Sequence, residues 1–294
     1  MHSEDSELAI LATTRNARQS AELALVLEAR AIEVVQERVG RSWILRVPVG
    51  QLDLATEELA AYARENVWKP EPATDEPIIG SGWPGVIVYV AILVGMLAPV
   101  SEFLFGRDWL SAGRLDSAAI FTGEWWRAVT ALTLHADAAH LLGNAAFGSF
   151  FGYSLARSFG SGFAWLAILA TGVVGNLGNA WLSGPDHRAI GASTAVFGAL
   201  GILTAYSWRT GFRRYRSPRQ RIAPIVAGIG LLAFTGTAGE NTDIGAHLLG
   251  FVAGFALGAG IAAYGAPRTK PAQLFCAAAA LAIVAGSWAL ALTA

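Results

Sequence analysis

The pattern of polar and apolar positions changes character near residue 80. Before it, charged and apolar residues mix as they do in water-soluble segments. After it, apolar runs of about 20 residues follow one another with short polar breaks. In the first part, residues 21–30 (AELALVLEAR) predict a helix. Residues 31–37 and 42–48 predict two strands around a turn at Val39, Gly40 and Arg41, and residues 53–66 predict a second helix. Residues 1–75 are therefore expected to form a small α+β domain. The stretch 68–83 holds three prolines and two glycines, so a linker is expected at 76–83.

Seven later segments are apolar enough to be expected as membrane-spanning helices: 84–105, 139–158, 162–182, 192–208, 222–236, 245–264 and 271–293. Open sheet edges cannot face lipid, so an all-α polytopic membrane protein is the fold class that follows. A long loop, about 107–138, separates the first two segments.

Composition agrees. Of 294 residues, 54% are hydrophobic and 15% charged, against roughly 25% charged in soluble domains. The net charge of −1 gives no reason to expect nucleic acid as a partner. A lone cysteine, Cys276, excludes an intrachain disulfide and a cysteine-based zinc site, and is expected as a buried thiol. The first residues (MHSEDSEL) are acidic and polar, unlike a signal peptide, so targeting is expected from the internal segments.

Charge also predicts orientation. The connection 209–221 carries Arg209, Arg213, Arg214, Arg216, Arg219 and Arg221 without an acid, and is expected on the cytoplasmic side. Arg157, Arg268, Lys270 and the N-terminal domain then fall on that side too.

Polar residues within spans are costly, so their positions are informative. Ser193, His247 and the pair His140 and Asn144 lie at the starts of the fourth, sixth and second segments. These segments run in one direction, which puts all four residues at similar depth near the outer surface. His140 and Asn144, four apart, share a helix face. Ala246, Gly250, Gly254 and Gly258 put a small residue at every fourth position, a pattern that lets membrane helices approach closely. If that face packs on the fourth segment, the His247 imidazole can reach the Ser193 hydroxyl.

A serine hydroxyl needs a base to become a nucleophile, and histidine suits that role. Peptide hydrolysis also needs donors for the developing oxyanion, for which the first-turn N–H groups at Ser193 and the side chains of His140 and Asn144 are candidates. Asp243, four residues before His247, is expected in a loop, which leaves a Ser–His dyad. His135 and His187 are expected as surface residues of outer loops. Without a His-Glu-x-x-His stretch, no metal site is expected.

These residues resemble the rhomboid intramembrane proteases over about 123–258. GEWWRAVT is similar to the family's Trp-Arg motif at Trp126 and Arg127. HADAAHLLGN matches His-x-x-x-Asn at His140 and Asn144, GASTAVFGALG matches Gly-x-Ser at Gly191 and Ser193, and AHLLGFVAG matches Ala-His-x-x-Gly-x-x-x-Gly from Ala246 through Gly250 to Gly254.

The resemblance implies a six-helix core at 84–266 around a water-accessible cavity open to the outer side. The helix in 267–294 is then an addition. It implies a serine-type intramembrane endopeptidase with Ser193 as nucleophile, His247 as general base, and His140, Asn144 and the Ser193 N–H as oxyanion donors. Glu124 and Arg127 would be structural polar contacts in a loop lying in the membrane surface. It implies transmembrane protein substrates in a lipid bilayer and no cofactor. The compact chain and the charge pattern lead to the expectation of a multi-pass protein of a bacterial inner membrane, its N-terminus cytoplasmic and its site facing the periplasmic or extracellular side. Thr194 stands where many members have Gly, and Phe197 where many have Tyr. The other functional classes are an inactive relative that binds membrane clients, and a transporter. The first usually lacks the serine or histidine present here; the second predicts midplane polar elements and repeats, which the sequence does not display. The N-terminal domain is expected to be a docking or regulatory module.

Overall fold

The computed structural model describes residues 7–65, 81–214, 217–236 and 243–294. Backbone contacts divide the chain into two units, Met1–Pro70 and Glu71–Ala294.

The first unit consists of β1 (Leu8–Thr14), α1 (Ala17–Glu28), β2 (Val35–Val39), β3 (Ser42–Pro48) and α2 (Leu52–Glu65). Its antiparallel sheet has the order β1-β3-β2. Gly40, at φ +61°, closes the expected hairpin between β2 and β3. Leu27, Leu45, Val47 and Ala55 are fully buried between the sheet and the helices. Three details differ from expectation. α1 starts four residues earlier, because the Asn16 side chain accepts from the N–H groups of Arg18 and Gln19. β2 starts four residues later, because Ala31 turns at φ +56° and Ile32 N–H returns to Leu27 O. β1 was not expected at all: its sequence LAILATT lacks polar alternation, and a register shift between Ile10 and Ala12 breaks the two-residue period.

The second unit begins with α3 (Trp83–Gly95) and α4 (Leu97–Ser101). The expected helix over 84–105 is thus interrupted at Met96 and stops four residues short. The chain then turns sharply, with Phe103 and Phe105 at positive φ. The long loop carries α5 (Trp109–Gly113), β4 (Leu115–Asp116), α6 (Ser117–Phe121) and α7 (Arg127–Thr130). Then come α8 (Ala138–Phe159), α9 (Ser161–Ser183), β5 (Arg188–Ala189), α10 (Ser193–Arg214), α11 (Pro218–Gly236), α12 (Ile244–Tyr264) and α13 (Lys270–Thr293). α10 and α11 run past their apolar stretches into the arginine-rich connection. Arg216 and most of the expected linker lie outside the described residues.

Among the described residues, four helical stretches are long and apolar enough to cross a membrane: Trp83–Ser101, Ser161–Ser183, Ile244–Tyr264 and Lys270–Thr293. α8, α10 and α11 are similar in length but more polar.

The main core lies among α8, α9, α10 and α12, around Phe151, Leu155, Phe159, Ile168, Ile202 and Phe251. α10 and α12 meet backbone to backbone. A Cβ at Gly254 would sit 2.7 Å from the Gly198 carbonyl carbon, and one at Gly258 would sit 2.7 Å from Ile202 Cα. The small-residue stripe of α12 therefore faces α10, as its spacing predicts. α13 packs on α9 and on the long loop. Its Gln273 bonds Phe159 O and Phe163 N at 2.8 and 3.0 Å, and its Trp288 indole donates to Thr133 Oγ1 at 3.1 Å. Cys276 of α13 is buried.

Candidate active site

Gly191 is the centre of the polar cluster. Its φ of +129° is one that side chains disfavour, and a Cβ there would meet Cε1 and Nε2 of His140 at 2.7 Å and Asn144 Nδ2 at 3.7 Å. Its N–H donates to Ala131 O at 2.9 Å, fixing the turn into α10. Ser193, half-buried, is the first residue of α10 and follows two positions later. The structure thus brings His140 and Asn144 to the turn that carries Ser193.

Both residues project from the first turns of α8. Asp137 caps that helix by accepting from His140 N–H at 2.8 Å. The Asn144 carbonyl accepts from the Tyr89 hydroxyl at 2.8 Å. Asn144 itself is 6% exposed, and its Nδ2 is buried without a hydrogen-bond partner. An unused donor in such a place is uncommon and calls for an explanation.

His247 is buried in the first turn of α12. Its ring lies 4.4 Å from that of Phe197, centroid to centroid. Phe197 is four residues after Ser193, on the same face of α10. His247 and Ser193 therefore address one strip of α10. Ala246 is buried beside His247, and Gly250 lies against Thr194 on α10 and Gly175 on α9. The Thr194 methyl fills that three-helix junction, so its bulk is taken up between α9 and α12.

The loop motif makes contacts of its own. Arg127 pairs with Glu124 at 2.6 Å and donates to the Ser111 and Arg114 carbonyls at 2.8 and 3.0 Å. Trp126 packs with Leu134 and Trp288 against α13. Glu124 and Arg127 thus tie the loop together, while Trp126 shares its apolar cluster with Ile190, the residue before Gly191.

Two expectations need correction and a third gains detail. His135 is half-buried, not exposed. Both its ring nitrogens are buried without a partner, and its ring lies 5.0 Å from that of His140. Burial, with His140 alongside, lowers its pKa to about 4, so it is neutral at physiological pH. Asp243 lies just before α12, outside the helix as expected, and also caps it, accepting from Ala246 N–H at 3.0 Å. His187, only 21% exposed, lies 3.0 Å from that same carboxylate. Sequence reasoning also passed over Asn176 and Asn179 of α9. Both are buried, and Asn176 donates to Ala128 O at 2.9 Å. Two amides in an apolar helix were the available signal.

Among the described residues, no three His, Cys, Asp or Glu side chains are grouped to hold a metal ion. The site's chemistry is that of a hydroxyl, two imidazoles and an amide.

Residues 122–264 match the family model described as the Rhomboid domain. The chain is 28% identical over 177 residues to YdcA of Bacillus subtilis, covering 58% of this chain and 86% of that protein. It is 33% identical over 213 residues to the rhomboid protease GluP of Bacillus subtilis, covering 68% of this chain and 41% of GluP. It is 30% identical over 166 residues to RHOMBOID-like protein 7 of Arabidopsis thaliana, covering 55% of this chain and half of that protein. The chain spans half or less of the length of the last two. The matched domain contains Gly191, His140, Asn144, Ser193 and His247, and four helices able to span a bilayer run through and beyond it. This chain is a multi-pass integral membrane protein whose residues 122–264 carry a Rhomboid domain.

Proposed function

We propose that the protein is an intramembrane serine endopeptidase. It hydrolyses peptide bonds in or near the transmembrane segments of other membrane proteins, with Ser193 as nucleophile and His247 as general base. The observation that carries this reading is the buried, unpartnered Asn144 Nδ2 beside Gly191. It is a donor held ready for an acceptor that arrives only with substrate. The relatives named as proteases support the same reading.

In this mechanism His247 takes the Ser193 hydroxyl proton as the oxygen attacks the scissile carbonyl carbon. The carbonyl π electrons move to oxygen. The resulting oxyanion is met by Asn144 Nδ2, the His140 ring and the Ser193 N–H. The intermediate collapses, the C–N bond breaks, and His247 returns the proton to the leaving amine. Water then attacks the acyl–Ser193 ester by the same route, releasing the new carboxyl end and restoring the hydroxyl. Phe197 limits the tilt of the His247 ring throughout.

The catalytic core comprises six spans, Trp83–Ser101 with α8 to α12, and α13 is the seventh. The arginine-rich connection between α10 and α11 lies in the cytoplasm, as does the N-terminal unit, so the site opens on the opposite face of a bacterial inner membrane. Substrates are single-span proteins whose helices unwind locally at the cut.

The test is cleavage of a model single-span substrate in proteoliposomes by wild type, Ser193→Ala and His247→Ala. Cutting by wild type alone is the expected result. Equal cutting by Ser193→Ala overturns the assignment, and silence from folded wild type across several substrates favours an inactive client-binding protein.

A further inference from the structure

A second polar cluster stands outside the machinery just described. The His187 ring Nε2 lies 3.0 Å from Asp243 Oδ2. Asn179 Nδ2 donates to the same oxygen at 2.7 Å and lies 2.9 Å from His187 Nε2. The last distance separates two donors that share one acceptor. The Asp243 carboxylate can only accept, which fixes the direction of the Asn179 amide, and Ser183 Oγ donates to Asn179 Oδ1 at 3.2 Å. Asn179 is 1% exposed.

The positions of the partners carry the inference. His187 lies six residues before Ser193, and Asp243 lies four residues before His247. Asn179 anchors both to the end of α9. The cluster therefore joins the two strands of chain that lead into the nucleophile and the base. Asp243 divides its carboxylate between two tasks. Oδ1 caps α12 through Ala246 N–H at 3.0 Å, and its backbone carbonyl accepts from His247 N–H at 3.1 Å. A helix cap needs only one side-chain oxygen, so Oδ2 is free to serve another purpose. Gly245 makes room: a Cβ there would sit 2.5 Å from Asn179 Oδ1. The His187 side is fixed too, since its carbonyl accepts from Ser117 N–H at 3.1 Å and the next residue, Arg188, pairs with Asp116 at 2.9 Å.

We propose that His187, Asp243 and Asn179 form a clamp that sets the separation of Ser193 and His247 across the α10–α12 seam, which makes His187 and Asp243 positioning residues for catalysis. The inference rests on the Ser193–His247 reading above. A catalytic pair must be held within about 0.5 Å of its working geometry; the packing of Gly250 on Thr194 joins the helices themselves but leaves the lead-in segments before them free of each other. A bond from one lead-in segment to the other removes that freedom. The clamp touches neither substrate nor reacting atoms, so its loss slows the chemical step and leaves substrate binding alone.

The experiment compares wild type, His187→Ala, His187→Gln, Asp243→Asn and the double variant His187→Ala/Asp243→Asn in proteoliposomes, with Ser193→Ala as the blank. Four quantities are read: kcat and KM for the single-span substrate, the rate of Ser193 labelling by a fluorophosphonate, and the Tm. His187→Ala is expected to lower kcat and labelling about 10- to 100-fold with KM within about twofold. His187→Gln keeps an N–H donor that can reach the carboxylate, and should recover most of the loss. The double variant should be no slower than the slower single variant, because both break one unit. Wild-type kcat and labelling in His187→Ala, whatever its Tm, overturns the clamp and leaves the active-site reading intact. So does a His187→Gln variant as slow as His187→Ala, or fully additive losses. A wild type no more reactive than Ser193→Ala removes the active-site reading, and the clamp with it.

Discussion

Replacing Gly250 by alanine tests how finely the α10–α12 seam is set. The added Cβ would stand 3.0 Å from the Thr194 carbonyl carbon and 3.1 Å from Thr194 Cγ2, with the Thr194 carbonyl oxygen closer still. Carbon atoms prefer separations of about 3.5–4.0 Å, so the two helices must part by roughly 0.5–1 Å. Thr194 cannot swing aside, since two of the three atoms are its backbone. Overpacking of this kind costs about 1–3 kcal/mol. Thr194 follows Ser193 directly, and Gly250 follows His247 by less than one turn, so the displacement passes straight into the gap between hydroxyl and imidazole. A 1 Å misplacement of reacting groups is worth about 100-fold, or about 2.7 kcal/mol of barrier. Gly250→Ala is therefore expected to lower kcat about 100-fold and to reduce the Tm. Gly260→Ala, in the same helix with no atom within 4 Å of the new Cβ, is the matched control and should stay within about twofold of wild type. The assay is substrate cleavage in proteoliposomes beside thermal unfolding in detergent. A Gly250→Ala protein with kcat within threefold of wild type would show that the seam has slack, and would refute the link from backbone contact to catalytic geometry.

Asn144→Ala removes the unpartnered donor and should lower kcat about 10²–10³-fold with little change in KM, as single-substrate kinetics would report. Arg127→Lys keeps the charge but not the three-way fork onto Glu124, Ser111 O and Arg114 O, so the Tm should fall almost as far as in Arg127→Ala, by the equivalent of about 1–3 kcal/mol, and a lysine protein as stable as wild type would contradict the fork. His135, with its pKa lowered by burial to about 4 against about 6.5 in an unfolded chain, takes up a proton on unfolding between those values. Stability should therefore decline as pH falls from about 6.5 to 4, and the decline should be shallower in His135→Gln, as thermal unfolding across that range would reveal.

What the sequence made legible depended on whether the responsible interaction was local. Helix positions in the second unit followed from apolar length, and α8, α9, α12 and α13 begin and end within about two residues of expectation. The stripe from Ala246 to Gly258 named its own partner, because small residues at every fourth position have little use except close backbone approach. The Asn16 cap, the turn at Ala31 and the bulge in β1 depend on side-chain and pairing geometry that hydropathy does not carry. The same holds for Asp243. On its own it is a polar residue before an apolar run, equally at home in a loop. It becomes a cap with a second task only when α9 brings Asn179 and the α9–α10 connection brings His187 to its free oxygen. His135 was misjudged for a similar reason: the polar stretch around it looks exposed, but folding puts its ring against His140.

The three helices that start at the cluster also differ in a way that bears on the proposed chemistry. α8 and α12 begin at Asp137 and Asp243, whose carboxylates take up first-turn N–H groups. α10 begins after Gly191 and Ala192, neither of which has a side-chain acceptor. An aspartate there would satisfy the same donors and would set a negative charge where the mechanism must develop one. With Ala192 the N–H groups that open α10, including that of Ser193, keep their partial positive charge unspent. Capping is thus assigned to the helices that carry His140, Asn144 and His247, which need fixed side chains. The helix that carries Ser193 opens without a capping side chain at Gly191 or Ala192, and its dipole end then points to the place where the oxyanion would form.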